Sequence, residues 1–400
     1  EPSMRIRSIT AFISEPTEQI ITRYSKTAQQ IREKLAGAGF EVQTTRLATP
    51  SFTRWMDDDI QKNILSLEKS VTESGFDYLS VGPVTAGDRK GLSKVTEILK
   101  NTQSTFCTSH LCSPGEPIDL AWLHQVGEEI LKNSVTDDKG FTNLRFAGLA
   151  NVEPACPFFP AAYADPEKPG FGVAMEAADL AFEIFTKADT PTAASKLLIK
   201  AIEDTSRKIE ECCVSIADED FLGIDFTLAP FPEQSRSIGA ALEALGISAF
   251  GLAGSLAASA FLMSIMDQAK FRRIGFNGLM LPILEDSCLA KRNASGSLSI
   301  QQLLLFSTVC GTGLDCIPLP GSVTPSQIAS ILLDIASLSN RLHKPLTARL
   351  MPVPGKITGD MTEFDFGYFA NSRVMDPASE GVGGLFEMGK LIPVWERKVK

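Results

Sequence analysis

The sequence is short of the groups that announce common chemistries. It holds only three histidines, His110, His124 and His343, with no HExxH, no GxSxG and no Cys/His spacing of a zinc site. A histidine-rich catalytic metal centre is therefore disfavoured. No GxxxxGK[ST] loop occurs either. The eight cysteines form no CxxC pair, so reduced thiols in a cytoplasmic protein are expected. Cations are outnumbered: 38 Lys plus Arg stand against 48 Asp plus Glu, a net charge of −10. A chain that grips a nucleic-acid backbone needs a basic stripe, so no nucleic-acid partner is expected. No apolar run of about 20 residues exists. The longest candidate, Ile247–Met266, is broken by Ser, Gly and Ala and meets Asp267, Lys270, Arg272 and Arg273. It reads as a buried helix, and no membrane partner is expected. Residues 1–5 show no secretory leader; Met4 is read as the natural start, with Glu1–Ser3 an added remnant.

What is present supports a large core, since 44% of the 400 residues are apolar. Strand and helix patterns alternate. Strands are expected at Met4–Ile13, Phe40–Leu47, Phe76–Val81, Thr105–Thr108, Leu144–Ala150, Leu222–Ala229, Gly278–Leu284 and Leu346–Val353. Helices are expected at Pro16–Leu35, Asp58–Glu73, Leu92–Leu99, Leu120–Asn133, Gly172–Lys187, Ala193–Cys213, Ile238–Leu245, Leu252–Ala269 and Ile300–Val309. Thr324-Pro325-Ser326-Gln327 carries a capping-box signal for a helix running to His343, which Pro345 stops. The pattern predicts a large, mainly parallel α/β barrel forming one domain over 4–400. An open doubly wound sheet is the alternative. The Pro- and Phe-rich stretch 151–171 reads as an ordered loop packed on the body.

Functional groups in such folds gather at strand ends and following loops. Asp225 lies in a run that otherwise reads as buried strand and needs a partner or a role. Asn277 and the adjacent acids Glu285 and Asp286 follow at a later strand end, where carboxylates serve as acid and base or hold a hard cation. Cys310 opens a segment in which Gly311 and Gly313 allow backbone to approach a ligand, followed by Asp315 and Cys316. Cys310 is a candidate nucleophile, with an inert buried thiol as the plain alternative. Asp315 and Cys316 alternate, so one of them should face the core. Arg349 alternates with apolar neighbours on a strand, and it and Lys356 suit an anionic ligand. Asp360, Glu363 and Asp365 are spaced to hold a divalent cation such as Mg or Ca, or to pair as acid and base; a solvated edge is the alternative.

Several segments resemble the DUF711 family: GIDFTLAPFP (223–232), GFNGLMLPILEDS (275–287), VCGTGLDCIPLPG (309–321) and LTARLMPVPGKITGDMTEFDFGYFANSRVMD (346–376), with MRIRSIT (4–10) and NVEPACPFFPAAY (151–163). The chain departs from related sequences at Cys316 and Ser322, where Thr and Asp are common. The family is similar to the UPF0210 proteins, which implies a ten-stranded α/β barrel of the pyruvate formate-lyase type. The resemblance carries architecture and not activity. The glycyl-radical segment Arg-Val-x-Gly-Tyr is absent: Ser372-Arg373-Val374-Met375-Asp376 has no glycine. Radical chemistry is therefore not expected.

These features point to an enzyme acting on a small, polar, anionic molecule. Cys310, Asp225, Glu285, Asp315 and Glu363 are its candidate catalytic groups; Asn277, Gly311, Gly313, Arg349 and Lys356 are its candidate ligand contacts. A lyase, isomerase or hydrolase suits these groups. The alternative is a non-catalytic protein that binds a small ligand or metal. A homodimer or higher homo-oligomer is expected from the prevalence of symmetric assemblies.

Overall fold

The computed structural model describes residues 4–56, 59–389 and 391–397. Glu1–Ser3 and the expected helix start at Asp58 lie outside them. The strands are β1 (Arg5–Phe12), β2 (Glu41–Ala48), β3 (Tyr78–Val84), β4 (Thr105–His110), β5 (Ile118–Asp119), β6 (Phe146–Ala150), β7 (Gly170–Glu176), β8 (Phe221–Asp225), β9 (Gly313–Pro320), β10 (Leu346–Val353) and β11 (Leu391–Ile392). Nine of them form one sheet in the order β8-β7-β1-β2-β3-β4-β6-β10-β9, and β5 pairs with β11.

The fold is α/β, but its sheet is less uniformly parallel than expected. β1, β2, β3, β4 and β6 run one way. β7 is antiparallel to β1, and β10 is antiparallel to β6. β8 follows β7 and β9 follows β10 in parallel. Two seams therefore reverse the chain direction. Residues 272–283 touch both outer edges. Ile274 N–H donates to Ile224 O at 3.2 Å, and Ile283 N–H donates to Asp315 O at 3.2 Å. Isolated parallel bridges join Ile224 to Arg273 and Pro282 to Asp315.

Local physics places most elements. Thr324 and Gln327 form the expected capping box ahead of the helix Pro325–Leu342. Thr17, Asp119 and Thr190 cap three other helices with side-chain oxygens. Four expectations are corrected. The expected strand Gly278–Leu284 does not form: 278–284 is turn and irregular chain with one isolated bridge, Pro282 to Asp315. Gly172–Lys187 is not one helix: β7 occupies 170–176 and a helix starts at Ala178. Leu92–Leu99 is split into two short helices, Arg89–Leu92 and Val95–Asn101. The segment 313–320, where no strand is expected, is the buried strand β9.

Alternation separates two faces of the sheet. Ile9, Leu47, Cys107, Val173 and Leu350 belong to the main core shared with the helices. Phe12, Ala48 and Phe106 point the other way and meet Phe159, Ala162 and Ala164 of the loop after β6. Ala174 and Leu149 likewise meet Val152, Cys156 and Phe158. The loop is pinned there: the Ser8 and Thr10 hydroxyls each donate to Pro157 O at 3.2 Å, and Ser80 donates to Ala162 O at 2.6 Å. This second, inner face carries the charged groups.

Candidate functional site

Two register shifts build the site. Opposite β7, β1 shifts between Ile6 and Ser8. Opposite β10, β9 shifts so that Leu314 pairs Ala348 while Ile317 pairs Leu350. An inserted residue breaks alternation and turns two consecutive side chains to one face. Ile6 and Ile9 stay in the main core, which leaves Arg7 with Ser8 on the inner face; Asp315 joins Cys316 there in the same way. Cys316 takes φ 49° to do so. The expectation that Asp315 and Cys316 face opposite sides is corrected by this shift.

The result is a buried ionic network. Arg349 Nε lies 2.5 Å from Asp315 Oδ1, and its Nη2 lies 2.9 Å from Glu285 Oε1. Arg7 stands 3.9 Å from Glu285 and 3.6 Å from Glu176, and donates to Pro230 O at 2.9 Å. Arg236 closes on Glu176 as well. Cys316 Sγ donates to Glu285 Oε1 at 3.3 Å. Burial works against the Glu285 charge, but Arg349 and Arg7 outweigh it and hold its carboxyl below the usual glutamate value. Asp315 goes the other way. Burial, with the neighbouring Glu285 charge, outweighs Arg349 and raises its carboxyl. Burial also pushes the Cys316 thiol well up, against the pull of Arg349.

Beside this network opens a cavity of about 700 Å³, lined by Arg7, Arg46, Glu285, Asp315, Arg349 and several aromatic rings. Arg46 is only 9% exposed. Its Nε donates to Thr44 Oγ1 at 2.9 Å, and its guanidinium carbon lies 5.0 Å from the Phe159 ring centre and 5.5 Å from that of Tyr78. Among the described residues, no carboxylate lies within ion-pair distance of it. Burial, then repulsion from Arg7, lowers its pKa to about 10.

The family model described as Uncharacterised ACR (DUF711) matches residues 1–371. The chain belongs to this family. A UPF0210 protein of Pyrobaculum aerophilum is 26% identical over 96% of this chain and 89% of its own length. A UPF0210 protein of Clostridium perfringens is 27% identical over 82% of this chain and 76% of its own.

In this DUF711 protein the other expected site residues fall elsewhere. Asp225 is fully buried and accepts from Thr227 N–H, Thr227 Oγ1, Phe276 N–H and Asn277 N–H at 2.6–3.0 Å. Burial raises its pKa despite those bonds. Asn277 returns the clamp by accepting from Phe226 N–H at 2.9 Å and donating to Ile274 O at 2.7 Å. Together they fasten 274–278 to β8. Asp286 is a double cap. Its carboxylate accepts from Ser237 Oγ, Ile238 N–H and Gly239 N–H of one helix start, and from Cys288 N–H and Leu289 N–H of another.

Gly311 faces Gly278 so closely that a Cβ on Gly278 would sit 2.7 Å from the Gly311 Cα. A Cβ on Gly313 would sit 2.3 Å from Thr347 O. Both glycines answer to backbone crossings rather than to the cavity. Cys310 is fully buried in the main core. Glu363 is 72% exposed and pairs with Lys356 at 3.1 Å. Asp360 accepts from Ile357 N–H at 2.9 Å, and Asp365 stands on the cavity lining. No group of three or more His, Cys, Asp or Glu among the described residues is arranged to hold a metal ion. No helix of the described residues is long and apolar enough to cross a membrane.

Sequence reasoning found Glu285, Asp315 and Arg349. It missed Arg46, Glu176 and Arg236, and noted Arg7 only as a strand residue. The available signal for Arg7 was the one that exposed Arg349, a cation beside apolar strand residues; Arg46 stands in the mostly polar run EVQTTRLA, which gives no such signal.

Proposed function

We propose that this protein is an enzyme performing acid–base chemistry on a small anionic molecule in the inner cavity. The observation that carries the reading is the sharing of one guanidinium by Asp315 at 2.5 Å and Glu285 at 2.9 Å, beside Arg46, which no carboxylate among the described residues reaches within ion-pair distance. Paired carboxyls pushed in opposite directions are the arrangement from which acid and base roles are assigned. Ionised Glu285 is the base that removes a proton from the substrate. Asp315, the carboxyl that burial raises, is the partner that carries a proton to a leaving group or an adjacent atom. Such proton traffic suits a lyase, an isomerase or a hydrolase. Arg46 holds the substrate's negative charge, and Arg349 and Arg7 keep Glu285 ionised.

The second reading, a protein that binds a ligand without turning it over, draws support from one fact: Glu285 and Asp315 each already commit one oxygen to Arg349. The test is incubation of the purified protein with an extracted mixture of small acids, followed by mass spectrometry, in parallel with Glu285→Gln and Asp315→Asn. Depletion of one anion by the wild type and by neither variant supports the enzyme. Retention of a ligand in native mass spectrometry with no depletion supports the binder.

For the architecture, we infer that the nine-stranded sheet closes through residues 272–283 into a ten-membered barrel of two antiparallel halves. Support comes from the hydrogen bonds of that segment to both edge strands. Closure makes the charged face the barrel interior.

A further inference from the structure

We propose that the ligand of this cavity is a monocarboxylate with an aromatic body, not a small fully polar acid. The proposal rests on the anion-site reading of the same cavity and names its occupant. The charge count sets the valence. On the inner face four guanidiniums, those of Arg7, Arg46, Arg236 and Arg349, meet three carboxylates, those of Glu176, Glu285 and Asp315. The surplus is one positive charge; of the four, Arg46 is the one that no carboxylate among the described residues reaches within ion-pair distance, its Nε being held by Thr44 instead. Around the rest of the lining, Lys100, Lys139 and Arg145 are matched in number by Asp137, Asp138 and Asp365. The cavity as a whole is thus short of one negative charge.

The chemistry at Arg46 selects a planar anion. A guanidinium held by its Nε to Thr44 presents its two terminal nitrogens as a fork, which matches the two oxygens of a carboxylate. The ring faces of Tyr78 and Phe159 flank it and keep water from competing.

The size and the walls select the body. A cavity of about 700 Å³ belongs to the class that encloses drug-sized ligands. A three- or four-carbon acid would leave most of it as water against rings. The lining next to Arg46 is aromatic and continuous: Phe106 packs edge-on to Tyr78 at 5.5 Å and to Phe159 at 5.2 Å, with Phe158 and Met280 beyond. On another part of the lining Phe141 meets Phe366 at 5.1 Å. Aromatic walls gain offset or edge contacts from an aromatic guest. Neutral bodies are favoured because the lining away from Arg46 carries equal numbers of positive and negative side chains.

The experiment is isothermal titration of the purified full chain with four probes: 3-(2-naphthyl)propanoate, its primary amide, acetate and phenyl phosphate. The naphthyl acid should bind, with its amide at least tenfold weaker, since charge-assisted pairs are about twice as strong as neutral ones. Acetate should bind far more weakly than the naphthyl acid. Arg46→Gln should erase the difference between acid and amide while the thermal midpoint stays within a few degrees. Phe159→Leu should weaken the naphthyl acid severalfold. Equal binding of acid and amide to the wild type overturns the proposal without needing any variant. So does no binding of the naphthyl acid at millimolar concentration, or tighter binding of phenyl phosphate or acetate. Naphthyl-acid binding without turnover of any acid leaves this proposal standing and defeats the enzyme reading. Turnover of a small polar acid with no naphthyl-acid binding does the reverse.

Discussion

Arg349 on β10 meets Asp315 on β9 at 2.5 Å across the register shift that brings Asp315 and Cys316 to the same face. The same guanidinium reaches Glu285 at 2.9 Å. One cation therefore serves two acids that lie 30 residues or more away in the chain. Its removal strands both. Arg349→Met should cost about 3–5 kcal/mol of folding stability, the range for breaking a buried pair from one side. Urea denaturation measures it. Adding Glu285→Gln and Asp315→Asn should recover part of the loss, because no buried charge is then left alone.

Glu285 and Asp315 should give pH dependences of opposite sign. The Glu285 carboxyl is lowered on folding, chiefly by Arg349 and Arg7 against its burial. Its stabilisation is present above the ordinary glutamate pKa of about 4.3 and is lost as pH falls through the lower folded value. The Asp315 carboxyl is raised by burial and by Glu285. Its favourable contribution is complete below the ordinary aspartate pKa of about 3.9 and is lost as pH rises through the higher folded value. The wild-type advantage over Glu285→Gln should thus shrink on acidification, and that over Asp315→Asn should grow. Denaturation midpoints between neutral and acid pH check both. Identical pH trends for the two variants would contradict the assignment.

The neighbours Glu285 and Asp286 should separate cleanly in function. Asp286 accepts from the starts of two helices. Asp286→Ala should lose more than about 2 kcal/mol, as each helix cap is worth ~0.5–2 kcal/mol and each orphaned buried N–H adds ~1–3 kcal/mol. Ligand binding per folded molecule should not change. Glu285→Gln should act on activity first. Circular dichroism melting beside a binding assay distinguishes them.

All eight cysteines are buried and unpaired. A thiol reagent should therefore find almost none in the native protein and eight after denaturation. Cys310→Ala should keep its activity, since Cys310 is packed in the main core. Rapid native labelling of Cys310, or loss of activity in that variant, would restore it as a nucleophile.

Signals contained within a few neighbouring residues were legible. Thr324 and Gln327 declare a helix start because the cap is made by the residues themselves. β10 stands out because apolar side chains dominate it, and β1 because β-branched and apolar side chains fill most of it. β7 was hidden because Gly170–Glu176 runs with one intervening residue into an alanine-rich helix. β9 was hidden because glycine, cysteine, aspartate and two prolines are poor strand formers, and burial overrides their preferences.

The sequence by itself determined the class of fold, the helix caps and the presence of charged residues in apolar strands that must find partners. The tertiary structure alone decided which partners they found. It sent Asp225 and Asp286 to backbone N–H groups, paired Glu363 with Lys356, and left Arg46 facing a cavity. The physical reason is that a buried charge only states that compensation exists. The compensating group lies at any sequence distance, from a separation of 2 for Asp225 and Thr227 to one of 223 for Arg7 and Pro230. The strand register and its two shifts select it.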